Sequence, residues 1–298
     1  MTQQQTFGPL NGDAVGIIFK ELVRRAIVVI NAQRFAHEVT AKETEYKPGQ
    51  DDYFTTADTA AQDEYVDGIR RAMPGVGIVA EEDRLVQPCT LPGGDTYVTI
   101  DSIDGTKAFI RRQSHGVGTM ISLVSGHEIV SAYVGDVFTR EIYGYRPGSN
   151  KVRRHNEFEH RHELGPRINR DLPLAKQYLL LRDDPYLQPF EARKLIPSKT
   201  SHRFKAIEIT GGSIGISMAR LWKGEVGGAV LLVGTQTPWD TFPVYGISRK
   251  LGFRFYFLDA DGRPDGEWIP QIEPVLQPLT RTVLVAHESR LGEMQGWA

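Results

Sequence analysis

The run Ile100-Asp101-Ser102-Ile103-Asp104-Gly105-Thr106-Lys107 constrains the fold more than any other stretch of this chain. The apolar residues leading into it read as a strand, and Gly105-Thr106 reads as the turn that opens a helix. Two carboxylates three residues apart therefore stand where a strand gives way to a helix. Open α/β sheets bind ligands at that edge, outside the carboxyl ends of their strands. The acids can hold hard cations there, and the N–H groups of the helix opening can hold a phosphate.

Around this run the sequence alternates element types. Over residues 13–36, Val15, Ile18, Phe19, Leu22, Val23, Ala26 and Ile30 recur at spacings of three and four, which predicts an amphipathic helix. The polar stretch 45–53 predicts a loop. A second helix follows Thr56-Ala57-Asp58, with Ala61, Tyr65, Ile69 and Met73 on one face, and stops at Pro74-Gly75. Residues 77–80 predict a buried strand delivering Glu81 and Glu82, and 97–100 a strand delivering Asp101. A hairpin is predicted over 118–124 and 128–134, and a further strand over 141–145. The segment 146–170, rich in Arg, His, Asn and Gly, reads as a surface insertion and divides the chain into halves, 1–150 and 151–298. In the second half, strands are predicted over 178–181, 228–233, 253–257 and 282–286. Helices are predicted over 185–195, from Gly211-Gly212-Ser213 through Trp222, and over 240–251. The last has Pro243 in its first turn and Gly252 just past its end. The sum is a layered α/β (α+β) sandwich, with an α+β first half and an α/β second half.

Composition narrows the function classes. A chain of 298 residues can bury a large core, and its net charge of -2 exerts no pull toward nucleic acid or acidic membranes. The single cysteine, Cys89, excludes an intramolecular disulfide framework and a multi-cysteine zinc site. No signal-peptide pattern opens the chain, and no apolar run approaches the roughly 20 residues that span a bilayer. A soluble cytoplasmic protein without membrane or nucleic-acid partners is expected.

Position gives the acids their meaning. Glu81 and Glu82 end one predicted strand, Asp101 and Asp104 another, and Asp240 lies in Pro238-Trp239-Asp240 where a third strand yields to a helix. Singly, each has an ordinary reading: Glu-Glu-Asp at 81–83 as solvated surface, Asp240 as a helix N-cap. Together they put acid at three strand ends. Four or five carboxylates cannot stay ionised at close range without cations. Oxygen ligands without His or Cys favour Mg²⁺ or Mn²⁺ over zinc. The combination points to metal-assisted phosphate chemistry.

Glu81-Glu82, Asp101 through Thr106, and Trp239-Asp240 resemble the three metal-site signatures of the inositol monophosphatase family. Members of that family are Mg²⁺-dependent, lithium-sensitive phosphomonoesterases. Thr56-Ala57-Asp58 resembles the family's segment before its second helix, and Lys47 falls where members carry a lysine near a third metal. Gly212-Ser213 and Asp261-Gly262-Arg263-Pro264 also fit, so the likeness spans roughly residues 13–264. It implies an αβαβα sandwich of the sugar-phosphatase type, a homodimer, and a small phosphate ester as substrate. It further implies Glu81, Asp101 and the Ile103 carbonyl as ligands of one ion, and Asp101, Asp104 and Asp240 as ligands of a second. Two or three Mg²⁺ ions are implied, with Mn²⁺ as an alternative. On the same resemblance, Glu81 and Thr106 activate the attacking water, Asp58 holds Thr106, and Lys47 serves the third ion. Gly105, Thr106, Lys107, Gly212 and Ser213 fall on the phosphate side.

Departures from the family pattern bear on the substrate. Ser102 stands where a proline is usual. Residues 229–237 contain no acid, although many inositol-phosphate members carry one shortly before Trp-Asp to accept sugar hydroxyls. The stretch from Gly105 to Ile110 looks more like the bisphosphate-nucleotidase or histidinol-phosphatase branch, and Asp240-Thr241 also fits the nucleotidase branch. A non-inositol ester such as adenosine 3′,5′-bisphosphate is therefore expected; inositol 1-phosphate, histidinol phosphate and a catalytically silent phosphate-binding relative are the alternatives. His155, His160 and His162 read as part of a solvated insertion that could reach over the pocket to a second phosphate. Gly211 through Gly215 is too weak for a dinucleotide fingerprint. Ser114-His115 lacks a third member of a triad.

Overall fold

The computed structural model describes residues 6–42, 52–158, 160–199 and 201–297. A short ladder of β1 (Thr6–Phe7) and β2 (Leu10–Asn11) leads into α1 (Gly12–Ala32), where the Asn11 side chain accepts from the Ala14 N–H at 2.9 Å. The pair β3 (Val39–Lys42) and β4 (Asp52–Thr55) precedes α2 (Thr56–Ala72). Next come β5 (Gly77–Ala80), β6 (Val86–Gln87), β7 (Tyr97–Asp104) and α3 (Thr106–Ile110). They are followed by β8 (Gly118–Ser125), β9 (Glu128–Asp136), β10 (Ile142–Tyr145), β11 (Arg153–His155) and β12 (Arg161–Glu163). The rest comprises β13 (Tyr178–Leu181), α4 (Phe190–Arg193), β14 (Ala206–Ile209), α5 (Ile214–Trp222), β15 (Gly228–Leu231) and β16 (Gly234–Gln236). Then follow α6 (Pro238–Lys250), β17 (Phe253–Leu258), β18 (Pro264–Glu267), β19 (Gln277–Leu279), β20 (Val283–His287) and α7 (Leu291–Gln295).

Two sheets organise these elements. The first has the order β12-β11-β10-β9-β8-β7-β5-β6, parallel only between β5 and β7. The second has the order β14-β13-β15-β20-β17-β18. Strand side chains alternate between faces, and the three core clusters follow that alternation. Ile100, Ile121 and Tyr133 face α1 and α2, whereas Met120, Ala132 and Val134 face α5 and α6. Along β20, Val283 and Val285 close the α5/α6 layer from the other side, and Leu284 and Ala286 turn outward toward α4 and α7. The layers run helix, sheet, helix, sheet, helix: the expected αβαβα sandwich. Among the described residues no helix is long and apolar enough to cross a membrane.

Local chemistry explains the differences from the sequence reading. The predicted helix over 185–195 is a 3₁₀ turn at Pro185–Leu187 and a single turn at α4, because Pro189 holds Gln188 extended at φ -66°, ψ 145°. Helix α6 starts at Pro238 with Thr237 as its cap, so Pro243 lies inside the helix and not in its first turn. The supposed insertion contributes β11 and β12, carrying the first sheet past residue 150 to Glu163; His155 is buried there. β12 is the edge strand of the sheet, where charge is common, and the Arg- and His-rich composition masked both strands. The predicted loop 45–53 lies largely outside the described residues.

Candidate active site

The bulge in β7 brings the two central acids together. In a regular strand, residues three apart point to opposite faces. Between β7 and β8 the pairing steps from Asp101↔Met120 to Asp104↔Gly118, three residues against two. The extra residue is a β-bulge, and it turns both carboxylates to one side. Oxygens of Asp101, Asp104 and Asp240 lie within 4.8 Å of one another. Ser102 sits in the bulge, fully buried, and its hydroxyl has no hydrogen-bond partner.

Each acid is held differently. Asp240 lies in the first turn of α6, where Thr237 Oγ1 accepts from its N–H at 3.3 Å and donates to its carboxylate at 2.8 Å. Asp104 points at the start of α5: Ser213 Oγ and the Gly215 N–H donate to Oδ2 at 2.5 and 2.7 Å, and the Ile214 N–H donates to Oδ1 at 3.0 Å. A negative charge is stabilised at such a helix N-terminus. Asp101 Oδ1, in contrast, is buried and has no hydrogen-bond partner. Burial, and then the negative charges of Glu81, Asp240 and Asp104, raise the Asp101 carboxyl well above its ordinary range. Burial, then Asp104 and Glu81, push Asp240 up to about 6. An orphaned carboxylate oxygen among crowded acids, with oxygen-only donors, fits a hard divalent cation. Asp101, Asp104 and Asp240 are the residues that could hold it.

Glu81 and Glu82 follow β5, and the backbone of Glu82 is clamped from α2. Gln62 accepts from its N–H at 2.9 Å and donates to its carbonyl at 3.1 Å. Lys42 Nζ lies 3.2 Å from both Glu81 and Glu82. Burial and the Glu81 charge raise Glu82 to about 8 against the pull of Lys42.

Thr55 and Asp58 form a capping box at the start of α2. Thr55 donates to Asp58 Oδ2 through N–H and hydroxyl at 2.7 and 2.6 Å, which leaves Oδ1 facing Thr106 Oγ1 at 3.3 Å. Thr106 Oγ1 also lies 3.0 Å from the Ile103 carbonyl. Burial outweighs the Thr55 hydrogen bonds and raises Asp58 to about 6.

The two halves of the chain touch here through backbone. Gly105 and Gly212 hold φ of +96° and +81°, and a Cβ on either would lie 2.4 or 2.2 Å from the Gly116 carbonyl oxygen. That same oxygen accepts from the Ser213 N–H at 2.8 Å. Arg182 donates to the Gly212 carbonyl at 2.6 Å.

Of the residues singled out in the sequence, Glu81, Asp101, Ile103, Asp104, Gly105, Thr106, Asp58, Gly212 and Asp240 are joined by these contacts. Ser213, expected toward phosphate, is fully buried and donates its hydroxyl to Asp104 instead. Lys107 is exposed on α3. Lys47 lies outside the described residues. Sequence reasoning missed Lys42 and Gln62, which reach Glu81 and Glu82 across chain separations of 39 and 20 residues. Gln62 lies on the helix predicted after Thr56-Ala57-Asp58, and no sequence signal marks Lys42.

Comparison with known proteins gives this arrangement a lineage. The profile of the inositol monophosphatase family matches residues 13–290. No curated protein matches in sequence. Among solved structures, extragenic suppressor protein suhB from Bartonella henselae is similar with a TM-score of 0.69 at 16% identity, over 95% of this chain and 97% of that one. An IMPase from Thermotoga maritima gives 0.66 at 19% identity over 95% of each chain. An IMPase/NADP phosphatase solved with Mg²⁺ and phosphate gives 0.64 at 14% identity, over 92% of this chain and 91% of that one. Identities this low speak for the fold, and the profile match over nearly the whole length speaks for the family. The chain, with its three-acid cluster at the bulged end of β7, belongs to the inositol monophosphatase family and is a phosphomonoester hydrolase.

Proposed function

We propose that the protein hydrolyses a small, non-inositol phosphate monoester, with a 3′,5′-bisphosphorylated nucleoside as the favoured class. The observation that carries the reaction is the Asp101, Asp104 and Asp240 cluster, with its unpaired Asp101 oxygen, beside the first turn of α3. Two or three Mg²⁺ ions are proposed there, Mn²⁺ being an alternative; bound metal lowers the pKa of a coordinated water and steadies the leaving oxygen. Glu81, Asp101, Asp104, Asp240 and the Ile103 carbonyl are the proposed ligands.

The chain's own groups supply the rest. Thr106 has one hydroxyl proton, and Asp58 Oδ1 and the Ile103 carbonyl both lie within its reach. Donating that proton to either leaves the Thr106 lone pairs free to accept from an attacking water, with Glu81 as the base. The first N–H groups of α3 have no intrahelical partner, so those of Gly105, Thr106 and Lys107 can receive the phosphate oxygens. Positioning and charge neutralisation of this kind suffice for phosphoryl transfer. A homodimer and a cytoplasmic location complete the proposal, sedimentation testing the former.

Two observations favour a substrate with a second anionic group over inositol. No acid precedes Asp240 over residues 229–237 to accept sugar hydroxyls. Arg182 places a guanidinium at Gly212, beside Gly105 and Gly116. The test is phosphate release with Mg²⁺ from inositol 1-phosphate, adenosine 3′,5′-bisphosphate, fructose 1,6-bisphosphate and histidinol phosphate. Preference for the inositol ester overturns the substrate. Metal binding without turnover of any ester overturns the reaction and leaves a phosphate-binding relative.

A further inference from the structure

A second charged recess lies away from the acids, under α1 at the far end of the first sheet. It is a cavity of about 210 Å³, where Lys20, Arg146, Lys151, Arg153 and Arg161 converge against a single acid, Asp13. Asp13 is engaged by Arg146 at 2.9 Å, and Lys151 by Glu163 outside the cavity lining at 2.8 Å. Among the described residues, neither Arg153 nor Arg161 has an ion-pair partner. The register explains the convergence. Tyr133, Gly144 and Arg153 lie in one row across β9, β10 and β11, and His155 pairs with Arg161 one step along the same face.

Two buried polar side chains line this recess without a hydrogen-bond partner among the described residues. Tyr133 is 3% exposed and His155 6%, and neither makes a hydrogen bond among the described residues. Gly16 keeps the floor open: a Cβ there would lie 2.6 Å from Arg146 Cβ and 3.2 Å from the Tyr133 hydroxyl. Burial, and then the positive charges of Lys20, Arg24, Arg161 and Arg153, lower His155 to about 4. The row of Tyr133 reaches β7 at Ile100, and Arg153 stands four strands away from it. At about 4.8 Å per strand, the recess is roughly 19 Å from the acid-bearing strand.

We infer that this recess is a binding site for a phosphate group, carried by a small molecule or free, separate from the catalytic crevice. A phosphate offers three strong acceptor oxygens, and the recess offers donors: two guanidinium forks without carboxylate partners, a phenolic hydroxyl and an imidazole N–H. A cation would meet the reverse of what it requires. The inference does not rest on the proposed substrate.

The test is calorimetric titration of the full-length protein with inorganic phosphate, with Mg²⁺ and, to silence the acid-lined crevice, with EDTA. Metal-independent binding is expected, unchanged by Asp104→Asn and weakened about tenfold or more by Arg153→Gln with Arg161→Gln, the loss of charge-assisted hydrogen bonds. Tyr133→Phe keeps the ring and removes only the hydroxyl; a weakening of about fivefold is expected. Absence of binding in EDTA overturns the site, as does equal affinity in the double variant. Should the double variant not fold, unchanged affinity in Tyr133→Phe overturns it instead.

Discussion

Two concentrations of like charge share the first sheet, and they are built in opposite ways. In the crevice at the end of β7, Asp104 draws three hydrogen bonds from the start of α5, and Asp58 draws two from its Thr55 cap with Thr106 Oγ1 within reach of a third. Among the described residues, Asp101 is the acid with a buried oxygen that has no hydrogen-bond partner. In the recess under α1, the pairing is at the rim, through Asp13 and Glu163, while the buried groups inside are donors without acceptors. The crevice fixes the direction of its acids toward one point. The recess gathers donors around a space that an anion would complete. Crowded charge is thus tolerated when each group is individually anchored, and it points to a ligand where it is not.

The largest effect that could break this comparison is on the reaction. Asp101→Asn should lower Mg²⁺-dependent phosphate release more than about 100-fold, beyond the range for losing an outer hydrogen-bonding partner. Retained activity would remove the crevice from the chemistry. Gly105→Ala comes next. Its φ of +96° and the 2.4 Å approach to the Gly116 oxygen leave no room for a methyl group. A loss of about 2 kcal/mol or more is expected in denaturant unfolding. Ser213→Ala should then raise the Mg²⁺ concentration needed for half-maximal activity by about 10- to 100-fold, because Asp104 loses one anchoring donor.

The pH dependence of stability should separate the two regions by sign. In metal-free protein Asp240 and Asp58 sit at about 6 and Glu82 at about 8, against about 4 in an unfolded chain. Between those values the native state holds more protons, so the crevice loses stability as pH rises from about 4 to about 8. His155, lowered to about 4 from an ordinary 6.5, does the opposite, adding stability as pH rises from about 4 to about 6.5. Above about 6.5 the contribution of His155 is complete, while that of Glu82 still changes. Melting temperatures of the metal-free protein should fall there, and Mg²⁺ should flatten the slope; a rising curve would contradict the crowding of the acids. The smallest expected effect is in the recess: Arg153→Gln should leave phosphate release within about twofold.

The candidate site was legible where a single chain segment carries the signal. Asp101 and Asp104 stand out because an apolar strand runs straight into them, and Asp240 because a helix opens beneath it. What could not be read depends on contacts made in three dimensions. The bulge that aligns Asp101 with Asp104 is a property of pairing with β8, not of β7 alone. Ser213 was recognisable as a helix start, but its partner Asp104 lies 109 residues earlier. Lys42 and Gln62 have unremarkable local sequences. The layered fold came through because period-two and period-3.6 patterns survive in buried elements. It failed at β11 and β12, where arginines and histidines on short strands near the sheet edge look like a solvated loop.

The meeting of Gly105, Gly116 and Gly212 has a consequence for how the molecule comes apart. Because Asp104 from one half takes its hydrogen bonds from a helix of the other, neither half can melt and leave the acid cluster arranged as it is. Loss of activity and loss of structure on heating should therefore coincide in one cooperative transition. An enzyme put together this way reports its own folding through its turnover.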